Sequence, residues 1–220
     1  MKKAIVYAYT MTDDTGFAPA VDSGLFSLAC CKPDIRFKIG ANYNDSYESE
    51  SYIIGICGKG LAERNNLPEK DFPVYIAKIT EAVTTEEYFS NEKYKNRPDA
   101  QYIFKDNTWY TKPTNRHNED VNAKENQIIE AKHNNDLYNT RKKVPTLNYV
   151  LLSTEYIYFG KDFDSKKNVI PECLEKIIER RKGKRGGSAG FELTNDESIA
   201  VSKYVNLHSN EYKEPNNIEK

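Results

Sequence analysis

The chain is poor in the residues from which metal sites and disulfide frameworks are built. It has 3 His and 4 Cys in 220 residues, and no Cys-x-x-Cys, His-x-His or His-x-x-x-His spacing occurs. Such spacings mark zinc sites and cysteine motifs, so we expect no bound metal, no structural disulfide and no cofactor. Free thiols are typical of a reducing compartment, which favours a cytoplasmic protein.

Long apolar runs and an excess of charge of one sign are also missing. The first apolar run, Ala4 to Tyr9, breaks at Thr10, and no later stretch is long enough to span a bilayer. We therefore expect neither a signal peptide nor contact with a membrane. Lys and Arg total 32 and Asp and Glu total 33, so the net charge is -1. Any nucleic acid or phosphate would have to be bound by a local basic patch.

The chain is rich in charged residues, at 30%, and in aromatic rings, with 16 Tyr and 9 Phe. Its length suits one domain, which we place at residues 1–208, with a flexible tail at 209–220. Residues 105–145 are polar and poor in aliphatic side chains, which predicts an insertion. Within it, only Asn126–Leu137 has helical character.

Short strands dominate the predicted elements, because runs of β-branched and aromatic residues alternate with turn residues. Five strands are predicted at Lys3–Tyr9, Tyr52–Cys57, Val74–Ile79, Gln101–Phe104 and Leu147–Leu152. Glu155–Phe159 follows the fifth strand after two residues, which predicts a tight hairpin. Its rings at Tyr156, Tyr158 and Phe159 favour core packing over base stacking. The fold class is α+β, with a mixed or antiparallel sheet that curls into a partial barrel between flanking helices.

Three helices have local start signals. Thr84 and Thr194 each open a capping box with a glutamate three residues later, and Pro171 suits a first helical position. We expect the first of these helices to end near Lys95, and the Pro171 helix to end at Gly183.

The densest group of special residues lies near the N-terminus. Asp14–Pro19 (Asp-Thr-Gly-Phe-Ala-Pro) combines a turn with an aromatic ring, and Leu28–Arg36 (Leu-Ala-Cys-Cys-Lys-Pro-Asp-Ile-Arg) adds two thiols and two cations. Glycine and proline fix backbone dihedrals, so the polar groups beside them become directional. This density is typical of a small-molecule or nucleotide pocket. An ordinary turn followed by a half-buried segment would use the same residues, and both interpretations stay open.

Two further features have ordinary structural interpretations, which we favour. Cys30 or Cys31 would need a nearby base to act as a nucleophile, and none adjoins them in sequence. Arg180–Gly190 lacks the residue order of a P-loop and suits a basic helix end followed by a glycine loop. The alternative for this segment is a phosphate site with backbone N–H donors. Its candidate residues are Lys182, Lys184 and Arg185.

These motifs resemble those of a known family, the second of the nucleotide-modification-associated domains, found in phages and bacteria. Both N-terminal segments match the family's motifs almost intact. Tyr52–Gly58 is similar to its Ile-Gly strand, Asn96–Tyr102 to its Arg-Gly-Asp-Asn-x-Tyr motif, and Val150–Gly160 to its closing hairpin. The chain departs from the family at two positions of the Arg-Gly-Asp-Asn-x-Tyr motif and in the longer, acidic segment Gly40–Glu50. The resemblance spans roughly Lys3–Gly160.

The resemblance implies a PUA-like domain, in which a small curled sheet binds a base or a nucleotide in a cleft. We therefore expect non-catalytic binding of a nucleotide, a modified base or a cyclic nucleotide. The setting would be a phage or bacterial system of nucleic-acid modification, defence or counter-defence. Nucleic acid and further copies of the chain are additional expected partners. Two alternatives stay open: capture of a host nucleotide immune signal by a phage protein, and a nucleotide-modifying enzyme with a cysteine nucleophile.

The expected ligand site takes residues from both N-terminal segments and from the Arg-Gly-Asp-Asn-like element. Its members are Asp14, Thr15, Gly16, Phe17, Pro19, Cys30, Cys31, Lys32, Arg36 and Arg97. The three cations would supply charge to a phosphate or a base edge, and the two thiols would line the wall. Asp14 and Thr15 would bond polar ligand atoms, Gly16 would allow close backbone approach, and Phe17 would stack on a ring.

Overall fold

A computed structural model describes residues 4–45, 50–67, 71–112, 132, 134–141, 143–160, 170–182 and 188–209. The strands are β1 (Ile5–Met11), β2 (Ala20–Asp22), β3 (Leu25–Leu28), β4 (Ser51–Cys57), β5 (Pro73–Lys78), β6 (Glu81–Thr84), β7 (Tyr102–Lys105), β8 (Thr108–Thr111), β9 (Tyr138–Asn139), β10 (Thr146–Leu147), β11 (Tyr149–Ser153), β12 (Glu155–Tyr158) and β13 (Ser188–Glu192). The helices are α1 (Pro33–Asp45), α2 (Lys59–Arg64), α3 (Thr85–Ser90), α4 (Glu172–Lys182) and α5 (Asn195–His208).

The larger sheet is mixed, with the strand order β12-β5-β4-β1-β13. β1 runs parallel to β4 and antiparallel to β13, which sets Tyr9 opposite Gly55 and Ser188. Successive side chains of a strand point to opposite faces of the sheet. Val6 and Ala8 therefore join one apolar cluster, whereas Tyr9 and Met11 join the other. Both faces of β1 are covered, as the nearly continuous apolar sequence of this central strand leads one to expect.

Helices cover one face of this sheet and a second sheet covers the other. α4 and α5 contribute Ile177 and Val201 to the cluster that includes Val6. The second sheet, β2-β3-β11-β6, contributes Phe26 and Leu151 to the cluster that includes Tyr9, and α1 contributes to the same cluster. A third cluster lies around α3 and the β7–β8 hairpin. The cluster with Tyr9 thus lies between two sheets.

The predicted hairpin at Glu155–Phe159 does not form, although both of its strands exist. β11 pairs with β3 and β6, whereas β12 pairs with β5 in the larger sheet. Ser153 lies at the corner, where its hydroxyl donates to the Lys78 carbonyl and accepts the N–H of Glu155 at 2.9 Å. A strand that changes sheets at a bend joins two packed layers. The prediction of a tight hairpin is therefore wrong, and the expected core packing of Tyr156 and Tyr158 is confirmed.

The two capping boxes are both present, at Thr84 for α3 and at Thr194 for α5. α3 ends at Ser90, earlier than predicted, because the chain continues in tighter turns. In these turns each of Tyr94 and Arg97 bonds the carbonyl three residues before it. α4 ends at Lys182, one residue before the predicted stop.

The fold is therefore mixed α+β with several sheets, and the described strands form no closed barrel. Part of the predicted polar insertion at residues 105–145 forms β8 and β9. The predicted helical segment Asn126–Leu137 lies largely outside the described residues, as does the tail beyond Ser209. No helix in the described part of the chain has the length and apolar character needed to cross a membrane.

Candidate functional site

The two N-terminal segments meet at a recess of about 340 Å³ beside the carboxyl end of β1. Its lining consists of Tyr9, Met11, Thr12, Asp13, Thr15, Phe17, Ala18, Cys31 and Lys32. Thr15, Phe17, Cys31 and Lys32 are candidates that the sequence predicted. The volume is near the lower end of the roughly 300–1,000 Å³ that is usual for small-molecule sites. The recess is therefore large enough for one heterocycle with its substituents.

The first wall is the turn between β1 and β2. Gly16 has a φ of 72°, in the left-handed region where glycine is free of the Cβ clash. Asp14 accepts a 2.6 Å hydrogen bond from the Tyr158 hydroxyl, which holds the turn against β12. Asp14, Gly16 and Pro19 belong to this turn but are not among the lining residues. The turn therefore presents Thr15 and Phe17 to the recess.

The second wall is the connection between β3 and α1. Cys31 and Lys32 have φ values of 61° and 46°, which non-glycine residues rarely adopt. The Cys31 N–H donates to Oδ1 of Asp136 at 2.7 Å, and the Lys32 carbonyl accepts the N–H groups of Ile35 and Arg36. Such conformations cost about 1–3 kcal/mol each and persist only where the surroundings hold them. The fold thus holds both side chains at the recess.

Lys32 lies over an aromatic floor. Its Nζ is 4.5 Å from the centroid of the Tyr9 ring, a cation–π distance. Burial lowers the pKa of Lys32, and the nearby Arg181 charge lowers it further, although Cys31 acts in the opposite direction. Beneath this floor, the Tyr75 hydroxyl donates to the Tyr9 hydroxyl at 2.8 Å. Burial raises the pKa of both phenols, so the floor stays uncharged at neutral pH.

The adjacent thiols occupy different environments. Cys30 is fully buried, with its Sγ 3.6 Å from the Asp99 carbonyl oxygen, and it does not line the recess. Cys31 is half-buried and lines the recess. Burial, with a contribution from the charge of Asp136, raises the pKa of both thiols. A reactive cysteine needs the opposite shift, toward the thiolate.

Arg36 is fully enclosed by the protein. Its guanidinium donates to the carbonyls of Cys31 and Tyr149 at 2.7 Å and of Asp136 at 2.8 Å. These bonds hold α1, β11 and the Cys31 connection together. Arg36, a predicted ligand contact, is not among the residues that line the recess, and backbone carbonyls inside the protein accept from its guanidinium.

Arg97 has a comparable structural environment. It donates to the carbonyls of Asp22 at 3.0 Å and Leu25 at 2.9 Å, and to the Ser27 hydroxyl. The buried Asp99 carboxylate lies 3.7 Å from its Nε. Arg97 thus holds the β2–β3 hairpin and is not among the residues that line the recess.

The basic segment at the end of α4 is described only in part. Lys182 pairs with Asp71 at 3.6 Å, and Arg180 pairs with Glu197. Arg181 is 5% exposed. The predicted phosphate contacts Lys184 and Arg185 lie outside the described residues. Two of the described cations of this helix end, Arg180 and Lys182, are therefore paired with carboxylates.

Sequence reasoning missed Tyr9, Met11, Thr12, Asp13 and Ala18. The predicted first strand ended at Tyr9, whereas β1 continues to Met11 and sets both side chains on the recess face. Continued alternation of apolar side chains through Met11 was the available signal.

Among the described residues, no cluster of three or more His, Cys, Asp or Glu side chains is placed to hold a metal ion. Comparisons with curated proteins and with solved structures found no significant match. The sequence model of one family, described as nucleotide modification associated domain 2, matches residues 3–218. That match extends past the motifs of the N-terminal segments through α4, β13 and α5. Because it covers nearly the whole chain, the protein belongs to the nucleotide modification associated domain 2 family.

Proposed function

We propose that the protein binds a nucleotide or a modified nucleobase in the recess beside β1, without transforming it. One observation carries this proposal: Thr15 and Phe17 of the first motif share the recess lining with Cys31 and Lys32 of the second. Two motifs that are separated in sequence thus contribute to one concave surface. The association of the family with nucleotide modification supports this class of ligand.

The chemistry of the lining suits a substituted heterocycle. Tyr9 and Phe17, although mostly buried, bring ring atoms to the lining, where a base can make apolar contacts. The hydroxyls of Thr12 and Thr15 can both donate and accept hydrogen bonds, as the edge of a base requires. Lys32 adds a cation at the same surface.

The state of the thiols supports binding over nucleophilic catalysis. Cys31 is the thiol that reaches the recess, and its pKa is raised by burial and by Asp136. A thiolate nucleophile is therefore disfavoured at neutral pH. The alternative of a cysteine enzyme predicts a change in ligand mass on incubation and its loss in Cys31→Ser.

The wider setting belongs to the same proposal. A PUA-like relationship, a phage or bacterial system of modification or defence, and a cytoplasmic location follow from the family resemblance. Capture of a host nucleotide signal would use the same recess and would be marked by slow release without turnover. Contacts with nucleic acid and assembly with further copies remain predictions.

The test combines mass spectrometry of small molecules that co-purify with the protein and calorimetry with a panel of ligands. The panel contains free bases, nucleosides, mononucleotides and cyclic dinucleotides. We expect at least one class to bind, with the ligand mass unchanged after incubation. Thr15→Val should weaken binding, whereas the matched change Thr108→Val, in β8, should not. Failure of every class to bind would refute the proposal.

A further inference from the structure

Each of the two carboxylates at the rim of the recess has a partner within the protein. Oδ2 of Asp13 lies 3.7 Å from the Arg64 guanidinium, and Oδ1 of Asp14 accepts the Tyr158 hydroxyl at 2.6 Å. The Cys31 thiol and the Tyr9 phenol are neutral at physiological pH. Lys32 is the cation of the recess lining, and Asp13 is its anion.

Lys32 takes part in no ion pair within the described ranges. Two carboxylates close to its segment are paired with other cations: Asp34 with Arg141, and Asp136 with Arg36 at 3.8 Å. The Lys32 ammonium instead lies over the ring of Tyr9. Half-buried ammonium groups normally have a counter-charge, because transfer out of water penalises the charged form.

Two further cations, Lys182 and Arg181, lie at the end of α4, on the other face of the larger sheet. Lys182, the last residue of α4, pairs with Asp71, and the Asp71 N–H donates to the Cys57 carbonyl at 2.9 Å. Cys57 lies opposite Met11 of the recess lining. The end of α4 therefore lies at the same end of the sheet as the recess. The charge of the neighbouring Arg181 contributes to the lowered pKa of Lys32, after burial.

The start of α1 adds to the positive electrostatic potential near Lys32. Lys32 directly precedes this 13-residue helix, and its carbonyl accepts the first helical N–H groups. The N-terminal end of a helix has a partial positive charge. Lys32, Arg181 and the helix end thus each add positive potential near the recess, while the rim carboxylates Asp13 and Asp14 are engaged by Arg64 and Tyr158.

We propose that the recess holds an anionic group against Lys32, and that its ligand is a nucleoside monophosphate rather than a free base or nucleoside. This inference rests on the proposed function and specifies its ligand class. The phosphate replaces the missing counter-charge of Lys32, and the base lies toward Phe17 and Ala18, at the apolar side of the lining. The recess volume of about 340 Å³ suits one nucleotide unit better than two.

The experiment is calorimetry with adenosine, guanosine, cytidine and thymidine, with their 5′-monophosphates, and with inorganic phosphate. For at least one base, we expect the monophosphate to bind about tenfold or more tightly than the nucleoside, the usual effect of a charge-assisted contact. Raising the salt concentration should weaken binding of the monophosphate and leave that of the nucleoside unchanged. Neither comparison requires a variant.

Lys32→Met assigns the effect to the residue. This variant should bind the monophosphate about tenfold more weakly and the nucleoside within about twofold of the wild-type affinity. Lys32→Arg should retain most of the preference for the monophosphate over the nucleoside. Lys203→Met, on the exposed side of α5, is the matched control and should change neither affinity.

The two proposals fail in different ways. Equal binding of nucleoside and monophosphate, or an equal effect of Lys32→Met on both, would overturn the anionic ligand and leave the proposed function intact. If none of these probes bound, the anionic ligand would be overturned, and the proposed function would fail only if the free bases and cyclic dinucleotides of its own panel also failed to bind.

Discussion

The Tyr158 hydroxyl donates a 2.6 Å hydrogen bond to Oδ1 of Asp14, a residue 144 positions earlier in the chain. Tyr158 is 3% exposed at the end of β12, whereas Asp14 belongs to the turn that forms one wall of the recess. The bond therefore couples the position of Thr15 to the core between the two sheets. It also satisfies one acceptor oxygen of the Asp14 carboxylate.

Tyr158→Phe should loosen this wall while retaining the packed ring. The loss of a hydrogen bond to a carboxylate should lower the free energy of unfolding by about 1–2 kcal/mol. Ligand affinity should fall as well, because Thr15 is no longer held in place. Urea unfolding and calorimetry measure the two effects. Tyr110→Phe, at a half-buried position of β8, is the control; equal losses in both variants would contradict a specific role for the Tyr158 hydroxyl.

Arg36 is expected to govern stability more than ligand binding. Arg36→Met would leave three buried carbonyls without their donor and Asp136 without its cation, which should cost about 3–5 kcal/mol. Arg36→Lys restores the charge but cannot reach all three carbonyls, so its loss should be intermediate. Chemical denaturation followed by circular dichroism is the measurement.

The matched control for Arg36 is Arg141→Met. Arg141 also pairs with an aspartate, but its side chain is 75% exposed, so the loss should be below about 1 kcal/mol. If Arg36→Met retained wild-type stability and lost ligand binding, the direct ligand contact expected from the sequence would be correct instead.

The elements that sequence reasoning predicted well are those encoded locally. The start of α5 depends on Thr194 and Glu197, three residues apart, and both reciprocal hydrogen bonds form. The recess residues Thr15 and Lys32 were found for the same reason, because glycine and proline constrain the backbone beside them. By contrast, the start of α1 was not predicted. Pro33 at its first position and Asp34 in its first turn were local signals that the sequence analysis did not use.

The features that were missed depend on partners far away in the chain. Arg36 donates to a carbonyl 113 residues later, and Arg97 to one 75 residues earlier. The local sequence around an arginine in a polar loop is the same whether backbone carbonyls or a phosphate will accept hydrogen bonds from its guanidinium. The corner at Ser153 is similar: two strands joined by two residues predict a hairpin, and only the competing partners β3, β5 and β6 exclude it.

The capping box of α5 should give the stability a measurable dependence on pH. Hydrogen bonding from the Thr194 N–H, at 2.9 Å, lowers the pKa of Glu197, and Arg180 acts in the same direction. The Glu197 carboxylate therefore binds a proton more tightly in the unfolded chain than in the folded one. Its contribution to the free energy of unfolding is present above the unfolded pKa of about 4.3 and is lost as the pH falls through the folded pKa.

Glu197→Gln should therefore reduce stability at pH 7 by about 0.5 kcal/mol and flatten the acid limb of the profile. The measurement is the free energy of unfolding between pH 3 and 7 for both proteins. Glu179→Gln, on the exposed surface of α4, should leave the profile unchanged; a parallel shift in the two variants would contradict the assignment to the capping box.

Gly55 tests whether the floor of the recess tolerates any added volume. A Cβ at this position of β4 would lie 2.3 Å from a ring carbon of Tyr75 and 2.4 Å from the Met11 sulfur. Gly55→Ala should therefore displace both side chains, at a cost of about 1–3 kcal/mol. Since Met11 lines the recess and Tyr75 holds the Tyr9 hydroxyl, ligand affinity should also fall.

Gly60→Ala is the matched control, because the same methyl group meets no close neighbour there. Its Cβ would lie 3.9 Å from Thr12, an ordinary contact, and Gly60 is within α2. Alanine favours a helix over glycine by up to about 1 kcal/mol, so this variant should be unchanged or slightly more stable. Thermal unfolding with and without ligand compares the pair. A stable Gly55→Ala with full affinity would show that the floor can shift, and that Tyr9 and Met11 need not be fixed for binding.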